Sequence, residues 1–447
     1  MKKFLHAHAT HPDAHMALAL AAAQIDAQRQ QPGHASEPTL GWLYLTDHFA
    51  GRASALLAEL GQRWPAVAWV GAVGVGIAAS GVEYFDEPAL ALMLAELPRE
   101  QFRVFSGARP LGDFRAHTAQ VHADPATADL GELVKDMSAR TTAGYLFGGL
   151  ASARTSALHI ADGVWRGGLS GVAFDAGVAL VSRVTQGCQP FGPLRTVTAA
   201  RHNVVSTLDG EPALNCLLRD LRLEEFAEPR DALPKLRETL VGLSDAPDHD
   251  SDHTLSHAPS EAGGFHTPAR RGAFGSDTRV RHLVGLDPAR RGIAIADIAE
   301  PGMQLAFCSR NTDAARRDLV RICSEIREEL EPQELPLSTA PAVKRGDLAV
   351  APEPAEASAA GLAGKPAAEA ATEAATEAGS AAQRIAGAIY VSCTGRGGAH
   401  FGAPSAELAL VRHALGDVPL VGFFAAGEIA RHHLYGYTGV LTVFRSA

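Results

Sequence analysis

Three apolar segments of the chain end in similar glycine-containing turns. The turns read GAVGVG at 71–76, GGLASA at 148–153 and GFFAAG at 422–427, and each has Gly first and a small residue fourth. Another β-like run follows each turn. Because glycine and other small residues end strands and allow tight turns, this pattern predicts a repeated structural unit. We interpret it as a diverged internal duplication, and unrelated glycine-rich turns after strands are the alternative.

The segments around these turns alternate between strand and helix patterns. Strands are predicted at 40–45 and 67–73, with a helix from about 52 to 63 between them. A second unit is predicted from a strand at 101–107, a helix at 129–140 and a strand at 143–149. Such alternation is typical of layered α/β proteins with repeated β-α-β units, and a mixed α+β fold is also compatible with it.

The C-terminal part has the same alternation around a long insertion. GMQLAFCS (302–309) reads as a strand, and residues 313–330 place apolar side chains on one helical face. After the insertion, AGAIYVSC and VPLVGFF read as strands on either side of the helix SAELALVRHALG. We therefore predict β-α-β-α-β with a loop inserted. RTVTAARHNVVSTL, further upstream, predicts a hairpin around ARHN.

Two segments are predicted to be disordered insertions. Residues 244–278 are rich in Asp, His, Ser, Pro and Gly, and residues 332–383 are rich in Ala, Pro and Glu and contain no aromatic residue. Neither segment has enough apolar surface to offset the entropy cost of ordering.

Composition excludes several classes of protein. The chain has 447 residues and a formal charge of −10, and no long basic patch is present, so nucleic acid is not an expected partner. The five cysteines form no CxxC pair, which indicates free thiols in a reducing compartment. The sequence contains no run of about 18 apolar residues, the length that is needed to span a membrane. We expect a cytoplasmic protein.

The first residues form a lead-in, 1–34, that we predict to be helical. Histidines interrupt the apolar stretch, which argues against a signal peptide, and Pro12 suits the first turn of a helix that runs to about Gln31. His6 and His8 form the HxH pair that binds metal in some hydrolases. The chain lacks the eightfold repetition of those barrels, so we interpret the histidines as a polar helix start.

The turn after AGAIYVSC is the first candidate site. Gly395 and Gly397 would let a ligand approach the backbone amides, and the guanidinium of Arg396 would bind a carboxylate or phosphate. A structural ion pair of Arg396 is the alternative. Cys393 ends an apolar run and is interpreted as a buried thiol rather than a nucleophile.

A second candidate site follows the strand VPLVGFF. Glu428 stands directly after the turn and is expected at the sheet edge, where α/β proteins bind ligands. If Glu428 and Arg396 line one cleft, they offer one charge of each sign and suit a zwitterion such as an amino acid. A direct ion pair between them is the alternative.

The order of several short motifs resembles the FIST family (F-box and intracellular signal transduction proteins). The resemblance spans nearly the whole chain, with an N-terminal FIST-like domain at 35–208 and a C-terminal one at 209–447. Thr394 departs from the asparagine that we would expect. The motifs that carry the resemblance are GGLAS, GCQPFGP…TVTAARHNVVSTLDGEPAL, SCTGRG…FG, VPLVGFFAAGEI and LYGYTGVLTVF.

The resemblance implies a sensory module rather than an enzyme. FIST domains in bacteria are proposed to bind small ligands, such as amino acids, and occur alone or beside signalling output domains. For this chain we expect an amino acid or other small carboxylate as the ligand and a signalling protein as the partner. No catalytic residue, cofactor or metal is expected. The chain has no output segment, so the partner protein is unknown. The ligand site is predicted from Cys393, Thr394, Gly395, Arg396, Gly397, Gly422, Gly427 and Glu428.

Two alternatives of other classes remain open. One is an enzyme that uses Cys393 or a metal bound by the N-terminal histidines. The other is an interaction scaffold in which residues 332–383 bind the partner.

Overall fold

A computed structural model describes residues 1–223, 229–245, 278–331 and 382–446. Most of the two predicted insertions lies outside these residues. Within the described ranges, no helix combines the length and the apolar character needed to cross a bilayer. The helices are α1 (Ala14–Arg29), α2 (Ala53–Arg63), α3 (Leu130–Ala139), α4 (Ala213–Asp220), α5 (Pro229–Glu238), α6 (Thr312–Leu330) and α7 (Ala406–Leu415).

The strands fall into two groups. Those of the three repeated units and their edges are β1 (Leu5–Thr10), β2 (Leu40–Thr46), β3 (Ala68–Gly74), β4 (Gly76–Ala79), β5 (Val82–Phe85), β6 (Ala89–Ala95), β7 (Phe102–Phe105), β8 (Thr118–Ala123), β9 (Tyr145–Leu150), β10 (His159–Ala161), β11 (Val164–Trp165), β12 (Leu169–Phe174), β13 (Leu180–Gln186), β22 (Ile385–Cys393), β23 (Leu420–Ala425), β24 (Glu428–Arg431), β25 (His433–Tyr435) and β26 (Thr438–Arg445). The others are β14 (Cys188–Pro190), β15 (Arg195–Arg201), β16 (Val204–Leu208), β17 (Glu211–Pro212), β18 (Leu240–Ser244), β19 (Arg279–Asp287), β20 (Gly292–Ile295) and β21 (Gln304–Arg310).

The first group contains one unit three times. Each unit has a strand, a helix, a second strand parallel to the first, a β-hairpin, and a last strand antiparallel to the first. The units are β2-α2-β3-β4-β5-β6, β8-α3-β9-β10-β11-β12 and β22-α7-β23-β24-β25-β26. An edge strand, β1, β7 or β13, pairs with the last strand of each unit.

The hairpins are exchanged in a ring. The hairpin of the first unit pairs with β23 of the third, that of the third with β9 of the second, and that of the second with β3 of the first. The resulting sheets have the orders β1-β6-β2-β3-β10-β11 (sheet 1), β25-β24-β9-β8-β12-β7 (sheet 2) and β13-β26-β22-β23-β4-β5 (sheet 3). No unit completes its own sheet, so the three fold together.

The inner faces of the three sheets enclose a central core. Trp42 of sheet 1 and Phe174 of sheet 2 pack against Phe444 of sheet 3, with ring centroids 5.4 and 5.7 Å apart. A buried hydrogen bond of 2.6 Å from Trp42 Nε1 to Gln120 Oε1 also joins sheets 1 and 2. The outer face of each sheet packs on helices: α1 and α2 on sheet 1, α3 on sheet 2, and α6 and α7 on sheet 3.

The second group of strands forms an antiparallel barrel between β13 and α6. Its closed order is β15-β16-β20-β19-β18-β21, with β14 added beside β21 and β17 beside β16. Phe307, Leu305 and Val241 fill the interior, and α4 contributes Leu217 to the same core.

The first glycine of each turn occupies the same place in its unit. A Cβ at Gly71, Gly148 or Gly422 would lie 1.7–1.9 Å from a backbone carbonyl oxygen of the neighbouring parallel strand. Only glycine permits this approach of two backbones. The shared sequence pattern therefore reflects a shared packing constraint, and the repeat has three copies.

Several sequence interpretations need correction. Residues 5–10 form a strand of sheet 1 rather than a helical lead-in, although α1 follows with Asp13 as its N-cap. The second unit begins with β8, and the predicted strand at 101–107 is the edge strand β7. The strand predicted at 302–309 belongs to the barrel. The helix at 313–330 and the hairpin around ARHN are confirmed.

Replacing Gly148 by alanine should lower the free energy of unfolding by more than about 3 kcal/mol, because the new Cβ would overlap the carbonyl of Val121. Gly61 lies in α2 with open space around it, so Gly61→Ala should raise stability by about 0.5–1 kcal/mol. Chemical denaturation of both variants measures the difference. A Gly148→Ala protein as stable as the wild type would contradict the close approach.

Candidate functional site

The turn after β22 is held by hydrogen bonds within the protein. The backbone N–H of Thr394 donates to Ala425 O at 2.9 Å, and that of Arg396 donates to Cys393 O at 2.8 Å. The N–H of Gly398 donates to the Glu83 carboxylate at 3.0 Å. These three backbone N–H groups therefore already have acceptors within the protein. They are not available to bind an anion, contrary to what the glycine-rich turn predicts.

Arg396 is buried, with 1% of its surface exposed. Its Nε and Nη2 donate to Glu407 Oε1 at 2.9 and 2.7 Å, and the guanidinium carbon lies 5.2 Å from the centroid of the Phe401 ring. Nη1 points to the carbonyl of Tyr437 at 3.5 Å. This geometry agrees with the alternative prediction, in which Arg396 forms a structural ion pair. The partner of Arg396 is Glu407 rather than Glu428.

Glu407 is a buried residue of this region that the sequence interpretation missed. It lies in the first turn of α7 and is 1% exposed. Besides Arg396, it accepts hydrogen bonds from the Tyr390 hydroxyl at 2.6 Å and the Ser392 hydroxyl at 3.0 Å. The sequence around the start of α7 reads SAELALVRH. A glutamate just after the N-cap is typical of a solvent-exposed helix start, so this pattern does not indicate a buried carboxylate.

Glu428 is fully buried at the start of β24. Its Oε2 accepts from the Thr438 N–H at 3.1 Å and from the Thr438 hydroxyl at 2.6 Å. Among the described residues, no donor makes a hydrogen bond to its Oε1. Burial raises the pKa of Glu428 to about 8, against the opposing effect of Thr438.

Cys393 lies beside this carboxyl group and is partly exposed. Burial and the negative charge of Glu428 raise the pKa of the Cys393 thiol to about 12, although the Gly395 and Tyr437 amides oppose this shift. Strand alternation places Val391 in the central core and Tyr390 in the outer core, so the Cys393 side chain follows Val391. The thiol and Glu428 thus meet at one end of the central core.

Arg396 and Glu428 do not form an ion pair with each other. The guanidinium lies with Glu407 and Tyr390 on the outer side of sheet 3, whereas Glu428 meets Cys393. The positive charge of Arg396 still lowers the pKa of Glu428, but burial raises that pKa by more. The two charges lie near each other without sharing a hydrogen bond.

The barrel forms one wall of this region. The Tyr437 hydroxyl lies 2.8 Å from His282 Nε2, and its ring packs under the guanidinium of Arg310 at 5.5 Å. Arg310 also donates to the carbonyl of Gly395. Residues of the barrel and of the third unit therefore meet around Tyr437, next to Cys393.

Two of the predicted glycines have packing roles. A Cβ at Gly397 would lie 2.1 Å from the Phe85 ring, and one at Gly422 would lie 1.7 Å from the Tyr390 carbonyl. At Gly427 the nearest atom, from the Leu150 side chain, would be 3.2 Å away, and at Gly395 the nearest, from Tyr437, would be 3.6 Å away. Close packing therefore explains Gly397 and Gly422 without a ligand.

Glu83 of β5 is a second buried carboxyl group that the sequence interpretation missed. It is 9% exposed and accepts the Gly398 N–H. Burial raises its pKa to about 7, and the negative charge of Glu407 adds to that effect. Two buried carboxyl groups near Arg396 thus titrate around neutral pH.

Two open depressions on the surface lie away from these residues. One of about 360 Å³ is lined by Gly81, Arg412 and Asp417, and one of about 600 Å³ by Arg103 and Phe114, among others. Neither is lined by a predicted site residue.

His6 and His8 lie on β1 rather than at a helix start, whereas His15 lies in the first turn of α1. Burial lowers the pKa of His6 to about 4, and His8 Nδ1 lies 2.5 Å from the Tyr84 hydroxyl. In the described part of the chain, no group of three or more His, Cys, Asp or Glu side chains is arranged to hold a metal ion.

Comparison with known proteins assigns the class and then the family. The FIST N domain model matches residues 39–211, and the FIST C domain model matches residues 213–431. FIST domains are associated with sensory and signal-transduction roles and with small-ligand binding rather than with catalysis. The chain belongs to the FIST family.

Its relatives include uncharacterized proteins of mycobacteria. One from Mycobacterium tuberculosis strain H37Rv is 28% identical over 453 residues, covering 97% of each chain. One from Mycobacterium bovis is 28% identical over 454 residues, again covering 97% of each chain.

Replacing Glu407 by alanine should lower the free energy of unfolding by about 3–5 kcal/mol, because it leaves the buried guanidinium of Arg396 without its partner. Asp417→Ala removes an exposed ion pair with Arg412 next to the same helix and should cost less than about 1 kcal/mol. Urea titration compares the two variants, and equal losses would contradict a buried charge network.

The stability of the protein should fall as pH rises toward 8. The pKa of Glu428 lies above its unfolded value of 4.5, so the folded state holds the proton more tightly, and the associated stability is lost as pH rises through about 8. Glu428→Gln should flatten this dependence. Exposed Glu100→Gln is the matched control and should leave it unchanged, as measured by denaturation at pH 5 to 9. An unchanged slope in Glu428→Gln would count against a buried titrating carboxyl group.

Proposed function

We propose that this chain is a cytoplasmic sensory protein that binds a small polar ligand, an amino acid or a related small carboxylate, beside Cys393 and Glu428. The observation that carries the proposal is the fully buried Glu428 carboxyl group, whose Oε1 has no hydrogen-bond partner in the described part of the chain. A buried acceptor without a partner is costly, so a donor supplied by a ligand would stabilise it.

The charges around Glu428 suit a ligand with an ammonium group. Oε2 is fixed by Thr438, which leaves Oε1 as the carboxyl oxygen that a ligand donor would reach. An ammonium group at Oε1 would favour the ionised carboxylate and displace its proton. The neighbouring thiol is partly exposed and marks the side from which a ligand would enter.

The opposite end of an amino acid would meet positive charge. Arg310 is exposed and donates to the Gly395 carbonyl, while Arg396 is buried. A carboxylate near Arg310 would form a charge-assisted hydrogen bond with its guanidinium. Arg310 replaces Arg396 as the group that we propose to contact the ligand, because Arg396 is committed to Glu407.

Binding at this place offers a route to signalling. Arg310 and His282 of the barrel both contact Tyr437 of the third unit, next to Cys393. A ligand that contacts both parts would favour one arrangement of them, and only such a difference in affinity shifts a conformational equilibrium. The resulting surface change would be read by an unidentified bacterial signalling partner.

The protonated state of Cys393 supports binding over catalysis. Nucleophilic cysteines have a lowered pKa, whereas burial and Glu428 raise that of Cys393 to about 12. The scaffold alternative rests on residues 332–383, which lie almost entirely outside the described ranges.

A thermal-shift screen of amino acids and small carboxylates tests the proposal. A ligand at 100 times its Kd should stabilise the protein by about 2.7 kcal/mol. Glu428→Gln and Arg310→Ala should each weaken binding at least tenfold in calorimetry, because each removes one charged contact. Arg412→Ala, which removes an exposed guanidinium paired with Asp417, is the control and should bind normally. Full affinity in both site variants would refute this location, and a panel without any stabilising member would refute the ligand class.

A further inference from the structure

The face of the barrel that packs on Tyr437 carries two adjacent cysteines. In the antiparallel pair of β14 and β21, Cys188 lies opposite Arg310 and Pro190 lies opposite Cys308. Residues two apart on a strand share a face, so both thiols lie on the side of the ribbon that carries Arg310. Cys188 and Cys308 belong to one small apolar cluster, against which the Tyr437 ring packs.

We propose that Cys188 and Cys308 are an oxidative modification site, at which a hydroperoxide converts the two thiols into a disulfide. This inference concerns residues outside the ligand site and does not depend on the proposed ligand. The other two buried cysteines lie apart, Cys216 in the core of the barrel and Cys323 in the core under α6.

Cys188 acts on the protonation of Cys308. The neighbouring Cys188 thiol, and burial after it, raise the pKa of Cys308. Cys308 therefore holds its proton and is fully buried, while Cys188 is 4% exposed on an edge strand of three residues. Cys188 is thus the more accessible of the two sulfurs and the one that meets the oxidant.

The reaction proceeds in two balanced steps. The Cys188 sulfur attacks the nearer oxygen of the hydroperoxide, the O–O bond breaks, and the leaving oxygen takes the thiol proton, which gives a sulfenic acid and water or an alcohol. The Cys308 sulfur then attacks the sulfenic sulfur, the S–O bond breaks, and water leaves with the Cys308 proton. Two thiols are oxidised and one peroxide is reduced.

The bond would link the two chain ends of the barrel. β14 enters the barrel directly after β13, and β21 leaves it toward α6, so a Cys188–Cys308 disulfide closes almost the whole barrel segment into a loop. Loops of this length lose much entropy in the unfolded state when they are cross-linked. The oxidised barrel would also present a changed surface to Tyr437, and hence to Cys393.

Peptide mapping of the full chain tests the site. Fully reduced protein is treated with hydrogen peroxide, the remaining thiols are alkylated, and the digest is analysed by mass spectrometry. We expect the chain to lose two hydrogen atoms and to yield one cross-linked peptide that contains Cys188 and Cys308. A reductant should reverse the change, and the oxidised protein should melt several degrees higher than the reduced protein.

Cysteine variants provide matched controls. Cys188→Ser and Cys308→Ser should each abolish the cross-link and the rise in melting temperature, whereas Cys216→Ser should retain both. If a serine variant does not fold, the wild-type peptide map alone decides. Oxidation that leaves Cys188 and Cys308 fully alkylated, or that links either one to Cys393 instead, would overturn the proposal.

Discussion

Exchange of hairpins among the three units is the constraint on which the rest of the structure depends. Each unit contributes a hairpin to the sheet of another unit, and the ring closes after three exchanges. The inner faces of the sheets consequently share one core, where an aromatic side chain from each sheet meets the others around Phe444. The ring also positions the proposed ligand site, because the hairpin that begins with Glu428 pairs with β9 while the neighbouring Cys393 ends β22.

The candidate site contains two buried carboxyl groups, Glu407 and Glu428, and one buried guanidinium, Arg396, which pairs with Glu407 alone. Glu407 neutralises Arg396 and, with four donors, has its hydrogen-bonding needs met within the protein. Within the described residues, Thr438 is the only N–H or O–H donor to Glu428, whose Oε1 lies beside the Cys393 thiol and can still accept a hydrogen bond. The same low-dielectric surroundings strengthen any interaction that Glu428 gains and make its ionisation costly when it gains none.

The sequence predicted the strands and helices that have strong periodicity, such as α6, whose apolar residues at three- and four-residue spacing are all buried. The sequence did not predict β1 and β8 as strands, because their apolar pattern is weak. β1 alternates alanine with histidine, and β8 reads TAQVHA. The sequence placed Arg396 and Glu428 in one cleft, whereas in the structure Arg396 pairs with Glu407 and Glu428 lies beside Cys393. Glu407 could not be identified, because a glutamate near a helix start has the same local pattern whether it faces solvent or a buried guanidinium.

The exchange of β4 has a consequence for how the protein is made. Ile77 and Gly422 belong to paired strands separated by more than three-quarters of the chain, so the first hairpin leaves the ribosome long before its partner is synthesised. Its buried residues would stay uncovered throughout elongation. Such a chain has a high contact order and gains its cooperative stability only after release, which makes a truncated translation product a substrate for chaperones and proteases rather than a folded half.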